Sequence, residues 1–168
     1  MSVYVGGIQI GPTGPTGPTA SDSTIKHVRK TITFDGSAGS GAVGTITVFT
    51  ITGRVLIHRV LAFCTAGLFG GASATLRCGG VLDTDGLFDQ VIATTVDNNE
   101  WWQQANPLRG LVSLDGGHDG GQISSQVQKM TDEDVILSVG TQAIAGGTII
   151  FDVWYEPVTD DGALVAAA

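Results

Sequence analysis

The sequence predicts an all-β fold, a single antiparallel β-sandwich of jelly-roll type with an extended N-terminal arm. Three observations predict it. From Ile25 onward, short segments of alternating apolar residues are separated by clusters of turn residues. No segment keeps helical apolar spacing for more than about two turns. The composition, with 25 Gly and only 14% charged residues, suits tight turns between short strands and leaves little for exposed charged helices. A chain of 168 residues suffices for one buried core with short appendages, divided here as a 1–10 docking arm, an 11–24 spacer, a 25–158 sandwich and a 159–168 C-terminal tail.

Taken in order, residues 1–10 place Val3, Tyr4, Val5, Ile8 and Ile10 around a Gly-Gly pair. An extended arm of this kind adds itself as a strand to a partner's sheet edge, main-chain hydrogen bonds giving affinity and alternate side chains selectivity. The ordinary alternative is a frayed terminus. Residues 11–19 read Gly-Pro-Thr three times. Such a tract prefers polyproline II, and three chains carrying it wind together because only glycine fits at the crowded axis. Two readings stay open, a stiff spacer and a short three-chain stalk of a homotrimer.

The segment KHVRKTITF puts Val28, Ile32 and Phe34 on one parity, as a strand with one buried face requires. GSAGSGAVG supplies a flexible turn region. Ile46 and Val48 then alternate with Thr45 and Thr47, and Gly53-Arg54 breaks the strand. The following run, Val55 to Phe63, is apolar on both parities, which implies burial on both faces: one against a second sheet, the other against a neighbouring subunit or the base of a loop. Leu56, His58, Val60 and Trp102 are the subunit-interface residues this reading selects. ATLRCGGVL and LFDQVIATTV are further strands around a turn at DTDG, and residues 98–128 are the least regular part. QVQKMTDEDV reads as a loop feeding the strand VILSVG. AIAGGTII contains a Gly-Gly pair suited to a hairpin turn. TIIFDVWYEPV closes the domain with Ile149, Phe151, Val153 and Tyr155 on one side and Asp152 on the other.

The net charge of -8 repels the phosphate backbone of nucleic acid and an anionic membrane surface alike, so neither is an expected partner. No apolar run reaches the length of a membrane span, and the first residues do not look like a secretion signal, so folding is expected in a cytoplasm. Cys64 and Cys78 flank GLFGGAS and would face each other across a hairpin; the reducing compartment favours two buried free thiols over a disulfide. Asp83 and Asp85 in DTDG open like a calcium loop, but the remaining oxygen ligands are missing. Asp115, His118 and Asp119 sit among four glycines, unlike a rigid catalytic or metal site. Adjacent Trp101 and Trp102 point to opposite faces of a strand. They give either a core Trp plus an interface Trp, or, with Gln103, a surface for stacking on a sugar ring. There is no nucleophile elbow, phosphate-binding loop or Cys/His zinc spacing. No catalytic residue, cofactor or metal is expected.

The stretches TITFDGSAGSGAVGTITVFTITGRVLI and GGTIIFDVWYEPVTDDG resemble small β-rich virion proteins of tailed bacteriophages, a group that includes capsid decoration (cement) proteins and fibre components. The GPT triplets resemble collagen-like tracts of phage fibres and of bacterial spore-surface glycoproteins, where a trimeric β-sandwich head follows a stalk. The first resemblance implies a non-enzymatic homotrimer bound to the major capsid protein on the capsid exterior. Its alternatives are a receptor- or glycan-binding fibre head and a collagen-like bacterial or spore surface protein.

Overall fold

The computed structural model describes residues 3–5, 8–10, 24–104, 111–115 and 128–168. Two antiparallel sheets pack face to face, in agreement with the predicted sandwich. The first runs in the order β3 (Lys26–Thr33), β12 (Ile144–Pro157), β5 (Val55–Gly70), β8 (Glu100–Gln104), β9 (Leu111–Asp115), with β10 (Lys129–Thr131) pairing the start of β5. The second runs β13 (Ala163–Ala166), β4 (Gly44–Thr52), β11 (Val135–Gly140), β6 (Thr75–Gly79), β7 (Phe88–Ile92). A short 3-10 turn at Ala93–Thr95 follows β7. The chain changes sheet at most connections, and the late strands β11 and β12 return to lie between early ones, β12 between β3 and β5 and β11 between β4 and β6. That insertion is the Greek-key element of a jelly-roll.

Between the sheets lies one core, filled by Trp102, Phe49, Phe88, Phe151 and a surround of Leu, Ile and Val. The inward set follows strand alternation: Ile149, Phe151, Val153 and Tyr155 from β12, and Ile46 and Val48 from β4. Trp102 packs on Phe88 with ring centroids 5.0 Å apart and edge-on to Phe151 at 6.4 Å.

Several expectations change. The segment expected as an extended arm is a hairpin: β1 (Val3–Val5) pairs antiparallel with β2 (Ile8–Ile10), Val3 opposite Ile10 and Val5 opposite Ile8. The two strands pair with each other, in a sheet separate from the two of the sandwich. The spacer at 11–23 lies outside the described residues. The expected C-terminal tail includes β13, which pairs with β4 and buries Leu164. GSAGSGAVG is bonded rather than flexible, with Asp35 N–H and Gly36 N–H both donating to Ser40 O and four glycines at positive φ. The Gly146-Gly147 pair lies inside β12 as an irregularity, and the turn falls earlier, at Thr141, whose φ is 65°. Cys64 and Cys78 do not face each other across a hairpin because β5 and β6 belong to different sheets; both are buried free thiols.

Candidate interaction surface

A bulge organises the outer face of the first sheet. In the β5–β12 ladder Tyr155 opposes Ile57 and Trp154 opposes Arg59, so His58 is an extra residue without a partner across the strand. The extra residue shifts parity. Val55 and Ile57 before it and Val60, Ala62 and Cys64 after it therefore all face the core. This accounts for most of the two-sided apolar run, which needs no second covered face at those positions. The residues left pointing outward are Leu56, Arg59, Leu61 and Phe63.

The registers of β3, β12, β5 and β8 set these into rows. Thr31, Ile150, Phe63 and Trp101 form one. Phe63 and Trp101 have ring centroids 4.6 Å apart and are tilted by 44°. Arg29, Asp152 and Leu61 form the next, and His27, Trp154 and Arg59 the third. The His27 and Trp154 rings lie 4.7 Å apart, and the Arg59 guanidinium sits 5.6 Å from the Trp154 centroid, within cation–π reach.

Asp152 anchors the middle row. Its Oδ1 accepts from His27 Nε2 at 2.6 Å and from Arg29 Nε at 2.8 Å, while Oδ2 accepts from Arg29 Nη2 at 3.0 Å. Burial by itself would raise the carboxyl pKa, but the hydrogen bonds from Arg29 and His27, together with their charges, hold it below the usual carboxylate range. Asp152 is thus ionised, and it is only 6% exposed. A second polar cluster lies at the bulge, where His58 Nε2 donates to Glu156 Oε2 at 3.2 Å and His58 Nδ1 accepts from Gln128 Nε2 at 2.9 Å.

The residues selected from sequence divide. Leu56 and His58 are half-buried on the outer face. Val60 and Trp102, expected at a subunit boundary, are each 1% exposed within the sandwich core, so they serve the fold and not an interface. Core burial likewise removes Trp102 as a sugar contact. Trp101 is the outward indole, half-buried against Phe63, while the Gln103 side chain lies outside the described residues. The side chains of Val3, Tyr4, Val5, Ile8 and Ile10 also lie outside them. Asp83 belongs to the β6–β7 turn, where its Oδ2 accepts from Lys129 Nζ at 3.0 Å and its carbonyl accepts from Gly80 N–H and Gly86 N–H. His118 and Asp119 lie outside the described residues, and only the backbone is described at Asp115. Both thiols are poor nucleophiles, burial pushing Cys64 up to about 11 and Cys78 up to about 12.

Sequence reasoning missed the His27–Asp152–Arg29 cluster and the Trp154 stack. A signal was present: Asp152 is an acid flanked on both sides by apolar residues in the closing strand, and a buried charge needs partners.

No family model matches the chain, and no curated protein matches it. Among solved structures it is similar to a virus-like particle of the extra small virus of the giant freshwater prawn Macrobrachium rosenbergii, at 10% identity over 100% of this chain and 96% of that chain. The TM-score is 0.28, at which the likeness carries no argument about fold or function.

Proposed function

We propose that the chain is a non-enzymatic structural protein of a virion exterior, and more narrowly a homotrimeric decoration (cement) protein that binds the major capsid protein of a bacteriophage. The observation that carries this reading is a division of labour along the chain. Every strand of the two sandwich sheets lies at or beyond Lys26, whereas β1 and β2 form a separate sheet. The N-terminal segment adds no strand to either sandwich sheet, and its apolar residues Val3, Tyr4, Val5, Ile8 and Ile10 suit a partner. In mechanical terms, a trimer seated where capsid subunits meet repeats each modest contact three times, and avidity converts these into resistance to shell expansion.

One observation favours a second reading, a collagen-like bacterial or spore surface protein: three Gly-Pro-Thr triplets stand directly ahead of the sandwich. Trp101 on the outer face favours a glycan-binding fibre head over either when a glycan array is bound through it.

The test mixes the full chain, or the chain lacking residues 1–24, with capsids stripped of decoration, and measures co-sedimentation and stoichiometry. The full chain is expected to bind in multiples of three and the truncated chain at least about tenfold more weakly, the loss of one or two anchors. Equal binding by both forms removes the docking segment from the mechanism, and binding by neither removes the cement reading.

A further inference from the structure

The outer face of the first sheet carries residue types that a solvent face does not need. Leu61 and Asp152 stand opposite each other there and are already covered within the single chain, at 7% and 6% exposure, which leaves the half-buried aromatic side chains around them for a partner to meet. Beside them lie the Phe63–Trp101 pair and the Arg59–Trp154 stack. Aromatic side chains and Arg are enriched at interface centres.

Charge points to the same face. With 16 acidic residues against 8 basic ones, two copies of the chain repel each other on average. Yet on the outward rows of this face Arg29 and Arg59 offset Asp152 and Glu156, so the face is close to neutral while the chain as a whole stands at -8. Copies meet less repulsion through it than through the rest of the surface.

We propose that copies of this chain associate through the outer face of β3, β12, β5 and β8, with Phe63, Trp101 and Ile150 as its apolar centre and Arg59 on Trp154 beside it. The occupant of the face is a second copy, three copies closing a ring. This rests on the homotrimer reading above. In a closed threefold ring one substitution recurs at all three contacts, so its effect on assembly is repeated threefold.

The test is sedimentation equilibrium of the full chain, of Phe63→Glu, and of Leu82→Glu as a control at a side chain that is 88% exposed in the β6–β7 turn. The wild type and Leu82→Glu are expected to sediment as trimers, and Phe63→Glu to associate about 100-fold more weakly with its far-UV circular dichroism unchanged. A monomeric wild type overturns the homotrimer reading and this proposal with it. A trimeric wild type with a trimeric, folded Phe63→Glu overturns the face assignment alone. A lowered melting temperature with the trimer intact also overturns it, because Phe63 then serves the fold and not an interface between copies. If Phe63→Glu does not fold, Arg59→Glu at the half-buried cation–π stack gives the same readouts.

Discussion

Asp152 is the residue whose chemistry the fold determines most completely. It is a buried carboxylate on a strand whose neighbours are apolar, and it is ionised because β3 brings a histidine and an arginine to it from 123 to 125 positions away in the chain. Its folded pKa lies below the unfolded value of about 3.9. Between the two values the unfolded chain binds more protons than the folded one, so stability rises with pH there. The contribution of this cluster is complete above about pH 4 and is lost as the pH falls through the depressed value. Asp152→Asn is expected to lose about 1–2 kcal/mol in urea unfolding at pH 7, the lower range for a charged hydrogen bond because both partners are partly exposed. The gap from wild type is expected to narrow on acidification below pH 4; a gap that stays constant with pH would contradict the assignment. The two tryptophans make the same point about partners in space. Adjacency in sequence dictates that one indole faces inward, but the choice of Trp102 comes from Ala62 opposing it in the register, beyond the reach of a residue-by-residue reading.

At the scale of elements, the long β5–β12 pair carries the irregularities that sequence patterns hid. The bulge at His58 flips parity midway, so alternation counted through it assigns Val60 to the wrong face. The Gly146-Gly147 pair looks like a hairpin turn in one dimension, yet Thr141 takes the positive-φ position and Gly147 the irregular one within the strand. Strand existence was legible because alternation and turn residues are local signals. Register was not, because a bulge leaves no local mark. The GSAGSGAVG turn offers a direct check on its bonded structure. A Cβ at Gly41, where φ is 121°, would run into the carbonyl oxygen of Ile144, while Gly39, at φ 79°, faces open space. Gly39→Ala is expected to cost about 1 kcal/mol from the left-handed backbone alone. Gly41→Ala is expected to cost roughly 3 kcal/mol or more, backbone strain adding to the clash. Equal losses in the two variants, measured by chemical denaturation, would place the turn against something other than β12.

For the whole molecule, the sandwich class follows from composition and periodicity, whereas the strand order does not, since β12 reaches both β3 and β5 across most of the chain. The tail became β13 for a related reason: ALVA is too short to stand out, and its worth comes from Leu164 entering a core built elsewhere. Closure is completed where Lys30 Nζ donates to Ala167 O at 2.5 Å, tying the first sheet to the end of the chain. The head is therefore a finished body that offers one aromatic and charge-balanced face, with a collagen-like tract and a separate hairpin ahead of it. In the proposed mechanism, threefold association joins these parts. The measurement that tests it most directly is the native mass of the full chain by sedimentation equilibrium across a wide concentration range. A single species of about three times the 17.3 kDa chain mass is the expected result, and a species of 17.3 kDa at every concentration would contradict it.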